Sequence, residues 1–248
     1  MHDDFEGDGL DHSVWLPHYL PAWSSQAASA ATYTVHDSCL DLFIPPEQGL
    51  WCADTHEPPL RVSGVQSGNY SGPKGSTVGQ QPFRPGLMVQ EEQQPFWGWT
   101  PRFGRIEITA RMWLSPRSMA SLWLVGLEVA PEQCGEICVF EIFGNAIQDG
   151  AAEVGSGLHA FRDPDVPEDF ATTRLEIDVT EFHTYAAEWT AESVSFEVDG
   201  IKTRACASPP TYPLQFMLAV FDFPDRGGDG DHVPRLVVDR VSAERPSP

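Results

Sequence analysis

Basic charge is scarce in this chain. Its 248 residues carry 15 Lys and Arg against 36 Asp and Glu, a formal net charge of -21. Such a surface repels nucleic acid, anionic membranes and sulfated or uronic polysaccharides, which leaves a neutral partner as the expectation. Long apolar runs are also missing: nothing approaches the ~18 consecutive apolar residues of a membrane span, so no membrane partner is expected. The opening MHDDFEGDGL has neither the basic nor the apolar region of a secretion signal. Five cysteines (Cys39, Cys52, Cys134, Cys138, Cys206) are an odd number, at spacings that match no disulfide framework of a small secreted domain. Cys134 and Cys138 cannot pair within one extended strand, because four residues at ~3.3 Å each set their Cα atoms about 13 Å apart, past the ~7 Å limit. Free thiols are therefore expected. They fit either a cytoplasmic chain or one already trimmed of its export signal.

Helical periodicity is the last absence, and what replaces it is alternation. Short runs of strand formers are broken by Gly, Pro, Asn and Asp, an all-β pattern. RIEITARM (105–112) alternates, as do residues 121–125. In EFHTYAAEWTAESVSFEVDGIKTRA, residues 190–193 turn one strand into the next, and Asp199-Gly200 turns that into a third. LQFMLAVFDF (214–223) reads as a buried strand and RLVVDRVSA (235–243) as the last one. SSQAASAA (24–31) is a polar connection and RPSP (245–248) a loose tail. No internal repeat and no long linker interrupts the chain, so one domain over 1–248 is the simplest account. Eight Trp, five Tyr and fourteen Phe exceed ordinary core filling and suit flat, neutral ligands such as sugar rings, although a plain core would also use them.

The stretch CGEICVFEIFG (134–144) sets two glutamates, Glu136 and Glu141, five residues apart in a strand. In a regular strand an odd spacing puts them on opposite faces, and Glu141 would enter the core beside Ile137 and Val139. An unpaired buried charge costs several kcal/mol. A β-bulge after Val139 resets the alternation and returns Glu141 to the face of Glu136 and Cys138. Two neighbouring carboxyls on one face can serve as nucleophile and general acid/base on a glycosidic bond, whereas the plainer reading is two solvated charges on an edge strand.

GEICVFEIFG resembles the bulged E-x-D-x-x-E signature, GEIDIMEYxG, of glycoside hydrolase family 16, the laminarinase and β-glucanase group. Further stretches are similar to that family in the same order: FGRIEITARM to its YGRFEARIK, ASLWLVG to PAFWLLG, EFHTYAAEWTAESVSFEVDG to FHTYAVEWTPDxIxFYVDG, and LVVDRV to xVDYVRV. Together they span about Phe5 to Val241. The resemblance implies a concanavalin A-like jelly roll, a β-sandwich of two antiparallel sheets with a substrate cleft across the concave one. It also implies a retaining endo-β-glycosidase acting on a neutral β-linked polysaccharide or oligosaccharide, with a β-1,3-containing glucan first in line. Glu136 would be the nucleophile. Glu141 would be the acid and then the base, its pKa raised so that it stays protonated beside an ionised partner. The rival reading is a carbohydrate-binding protein that kept the fold and lost catalysis.

Departures from the family pattern bear on the same site. The family's middle aspartate is Cys138 here, a weaker hydrogen-bonding group. Loss of that charge is expected to ease the ionisation of Glu136 and to perturb Glu141 less. The family's arginine falls on Thr109, with Arg111 two residues on, and its asparagine falls near Ala219. Trp123 is expected to line the cleft or to join the core. Trp97 and Trp99, flanking Gly98 just before a strand taken to border the cleft, would form a sugar platform or a hydrophobic lid. His159 matches a family histidine in the strand after the catalytic one. No cofactor is required, although some relatives bind one structural calcium between the chain ends, for which Asp4 and Asp239 are the candidates by resemblance. Cys134, Cys138 and His159 lack the close spacing of a zinc site, GPKGST is not a phosphate loop, and GGDGDH (227–232) is one isolated loop. A monomer is the expectation.

Overall fold

A computed structural model describes residues 1–244, and the RPSP tail (245–248) lies outside the described residues. The strands begin with β1 His2–Asp3, β2 Tyr33–His36, β3 Cys39–Phe43, β4 Arg61–Gln66, β5 Gly68–Asn69 and β6 Phe96–Trp97. The long ones follow as β7 Gly104–Trp113, β8 Ser118–Gly126 and β9 Glu136–Phe143. After β10 Ile147–Gln148, β11 Ala151–His159 and β12 Asp169–Leu175 comes the double hairpin β13 His183–Trp189, β14 Ser193–Val198 and β15 Ile201–Ala207. The last two are β16 Leu214–Asp222 and β17 Arg235–Glu244. No helix among the described residues is long and apolar enough to cross a membrane.

Apart from β5 and β6, which pair with each other, these strands form a sandwich of two antiparallel sheets. One runs β15-β14-β13-β7-β17-β3-β2 with β1 added beside β17; the other runs β10-β11-β9-β8-β16-β4 with β12 beside β11. Alternation explains the layering. In β7, Ile106, Ile108, Ala110 and Met112 point inward and are fully buried, and they meet Ala120, Leu122 and Leu124 of β8 and Phe216, Leu218 and Val220 of β16 in one interior cluster. Each such Leu or Phe is worth roughly 1.5–3 kcal/mol when removed from water.

The alternate residues of the second sheet, Met119, Val125, Met217, Ala219 and Phe221, belong to a second apolar cluster with Leu20, Trp23, Trp51, Leu60 and Leu87. Loops from the first 90 residues thus cover the outer face of this sheet and narrow an open cleft to a cavity. β7, taken from the sequence to border the cleft, instead lies in the opposite sheet. Thr109 there bonds Thr184 at 3.1 Å, and Arg111 stacks over Phe182 and Trp113, so the changes at 109 and 111 do not touch the cavity.

Candidate active site

β9 carries the bulge. Opposite it on β8, Leu122 pairs with Phe140 and Trp123 with Cys138, so Val139 is the extra residue. The consequence is visible in burial: Val139 and Phe140 both enter the interior cluster with Ile137 and Ile142, while Glu136 and Glu141 line one cavity on the other face. The partner strand accommodates this bend with a glycine. Gly157 opposes Cys138 at φ +145, and a Cβ there would come within 2.2 Å of the Asp169 carbonyl oxygen, so only glycine fits.

The cavity measures about 430 Å³. Trp123 from β8, Met217 from β16 and His159 from β11 form its floor beside the two glutamates, and Tyr19, Trp51, His56, Phe83 and Phe161 supply aromatic walls. Local bonds hold those walls in place. Gln66 Oε1 accepts the Leu20 N–H at 3.0 Å, and the Trp51 indole donates to the Tyr19 carbonyl at 3.0 Å. Tyr19 packs edge-on against Trp51 and Phe221. His159 Nδ1 bonds Glu168 Oε1 at 2.6 Å while its ring stacks on Phe170. The Trp123 Nε1–H is buried without a hydrogen-bond partner.

Both carboxyls hold their protons more tightly than usual. Glu136, 5% exposed, lies well above the ordinary carboxylate range, first through burial and then through repulsion from Glu141 and Glu168, with no neighbouring cation or donor to offset it. Glu141 is also raised by burial, but His159, the Trp123 indole and Arg226 pull it down. Burial, and then the two glutamates, push the Cys138 thiol well above its usual value, so it stays neutral. The indole N–H favours the charged forms of Glu141 and Cys138 without reaching full hydrogen-bond geometry to either. Losing the family's aspartate therefore does not leave Glu136 easy to ionise, because burial outweighs the missing charge.

The sequence-predicted residues divide in two. Glu136, Glu141, Trp123 and His159 line the cavity, and Cys138 is buried between them on the same strand. The two loop tryptophans do not join them. Trp99 packs between Trp15 and Phe216 against the interior cluster, which corrects its assignment as a sugar platform: aromatic partners at 5.7 and 6.0 Å draw it inward. Trp97 is exposed and stacks on Tyr70 outside the cavity. Asp4 pairs with His2 Nε2 at 3.3 Å, and Asp239 lies in β17, the strand beside which β1 runs. All five cysteines are free and buried. The walls at Tyr19, Trp51, His56, Phe83 and Phe161 were not found from sequence. They lie in irregular segments whose aromatic residues carry no spacing signal.

Comparisons with known proteins give the family and the fold. The model of Glycosyl hydrolases family 16 matches residues 99–222, half of the chain. The GlcNAcα1-4Gal releasing endo-β-galactosidase from Clostridium perfringens is similar at a TM-score of 0.82 and 24% identity, covering 97% of this chain and 61% of that one. A laminarinase from Flavobacterium sp. UMI-01 is similar at 0.68 and 16% identity, over 99% of each chain. A β-1,3-1,4-glucanase (lichenase) derived from a mouse hindgut metagenome is similar at 0.64 and 14%, over 98% of each. This chain thus spans about three fifths of the galactosidase's length. No curated protein matches it.

Proposed function

Because the chain belongs to glycosyl hydrolases family 16, whose members retain anomeric configuration, we propose that it is an endo-β-glycosidase with Glu136 as nucleophile and Glu141 as acid/base. The observation that carries this reading is the bulge at Val139, which brings two glutamates to one aromatic-walled cavity instead of burying the second in the core. Glu136 attacks the anomeric carbon while Glu141 protonates the departing oxygen. Glu141 then takes a proton from water, which releases the glycosyl group with net retention. The raised Glu141 suits its first task. Glu136 must be ionised to attack, and sugar hydroxyl donors, absent from the free cavity wall, favour its charged form once substrate displaces water.

A neutral glycan remains the substrate class, and two backbones have support. A β-galactosidic chain is favoured by the higher structural likeness to the endo-β-galactosidase than to the glucanases, 0.82 against 0.68 and 0.64. A β-1,3-containing glucan is supported by the laminarinase resemblance. A binding protein without catalysis is the alternative, favoured by neutral Cys138 and by a Glu136 that ionises with difficulty.

One experiment separates these readings. Wild type is assayed for new reducing ends on laminarin, lichenan and β-galactan, with Glu136→Gln and Glu141→Ala beside it. Glu136→Gln should lower turnover on the order of a thousandfold or more. Glu141→Ala on an aryl glycoside with a good leaving group should form the glycosyl-enzyme and stall, and azide should restore turnover with a β-glycosyl azide product. An α-azide from Glu141→Ala would reverse the assigned roles. Binding without cleavage by wild type would establish the non-catalytic alternative.

A further inference from the structure

Glu128 follows β8 and is only 3% exposed, with a left-handed backbone at φ 54. Its Oε1 accepts the Gln81 N–H at 2.6 Å, and its Oε2 is ion-paired with the Arg162 guanidinium. The ring closes through Cys134: the Arg162 N–H reaches Cys134 Sγ at 3.2 Å, and Gln81 Nε2 reaches the Cys134 carbonyl at 3.5 Å. Four residues thus join three segments that meet at the cavity. Gln81, Pro82 and Phe83 line one wall, Phe161 lines another beside His159 of the floor, and Cys134 precedes Glu136 by two residues.

Stability is a poor explanation for this knot. Gln81 at φ 47 and Phe161 at φ 47 are left-handed as well, and each such non-glycine residue costs on the order of 1 kcal/mol. Burying the Glu128 end of this ion pair gains little, since its desolvation offsets the attraction of the half-exposed Arg162. That cost is visible here: burial pushes the Glu128 carboxyl up to about 7 even though the Gln81 amide and Arg162 favour its charge. Strain and a costly buried charge gathered where three cavity segments converge indicate a geometry held for use.

We propose that Glu128 is a positioning residue, which with Arg162 clasps the 81–83 and 159–162 walls together so that Phe83 and Phe161 face each other across the bound sugar. Its kinetic consequence rests on the glycosidase reading, but the clasp itself does not. The walls would touch substrate away from the reacting bond and hold ground state and transition state alike, so loosening them raises KM and leaves kcat in place.

The test uses the full chain carrying Glu128→Gln, Arg162→Gln, or both. Without substrate, amide hydrogen exchange should quicken at least several-fold in peptides covering 80–87 and 158–163 in either single variant, with β16 unchanged. On whichever of laminarin, lichenan and β-galactan the wild type cleaves, KM should rise about tenfold with kcat within about twofold. The double variant should be no worse than either single one, because both break the same link, and Arg162→Lys should recover part of the loss. Unchanged exchange in both segments, additive KM effects, or a fall in kcat alone would overturn the proposal. If Glu128→Gln fails to fold, the half-exposed Arg162→Gln carries the same measurements. If wild type cleaves nothing, the glycosidase reading fails and the exchange data still decide the clasp.

Discussion

Cys138 sits buried on the strand between two carboxyls and has no charge to share with either. Where the family has an aspartate, the neutral thiol neither repels Glu136 nor donates a strong bond to it, and burial, followed by repulsion from Glu141 and Glu168, lifts Glu136 well above the carboxylate range. In Cys138→Asp, the new carboxyl would enter the same buried position and hold its proton, so it can donate an O–H to ionised Glu136. The acid limb of kcat/KM should then move down by roughly one pH unit, with higher activity near pH 5. A limb that moves up would mean that the introduced aspartate ionises. The same burial has a consequence for stability. A carboxyl with a raised folded-state pKa stabilises the fold fully below its unfolded value and loses that contribution as pH rises through the raised one. Glu136→Gln removes the cost of ionisation, so it should melt a few degrees above wild type at pH 8, with the gap closing toward pH 4. Thermal melts across that range check it, and a gap that opens on acidification would contradict the sign.

The bulge decides at the level of the strand what the glutamates can do. Deleting Val139 removes the extra residue, and Phe140 and Glu141 can keep their partners Leu122 and Ser121, so both glutamates stay on the cavity face of a now regular strand. The variant should fold and still cleave, with a melting temperature a few degrees lower for the lost burial of Val139. Unfolding of the deletion, or a structure of it with Glu141 turned into the interior, would show that Val139 is not the extra residue. This element was legible in the sequence because an odd spacing of two carboxylates conflicts with strand period, and only an extra residue resolves it. β7, β16, β17 and the double hairpin were legible from alternation and turn residues for the same reason, to within a residue or two, while β8 begins three residues before the run expected for it. What was hidden depends on contacts distant in sequence. Trp97 and Trp99 are identical in local pattern, yet partners 84 and 117 residues away, Trp15 and Phe216 among them, draw Trp99 to the core and leave Trp97 on Tyr70. The cavity walls and the Glu128 ring likewise exist only once loops have converged.

At the scale of the whole molecule, charge sets which glycans can approach. With 36 acidic against 15 basic residues, and with Glu136, Glu141 and Glu168 near the reacting centre, an anionic chain meets repulsion at long range and again in the cavity. Local cations oppose this, since Arg226 lies over Phe143 and Phe223 close enough to favour the charge on Glu141. Salt distinguishes the two scales, because the Debye length falls from about 10 Å at 0.1 M to about 3 Å at 1 M and removes the distant repulsion first. For a carboxymethylated polysaccharide, kcat/KM should therefore rise several-fold between low salt and 0.5 M, while the neutral parent changes by less than about twofold. Matched steady-state assays on the two polymers measure this directly. If the anionic polymer is instead preferred at low salt and loses its advantage as salt is added, attraction by arginines near the site outweighs the net charge of the chain. The neutral-substrate reading would then have to be replaced by one in which those arginines select an acidic sugar.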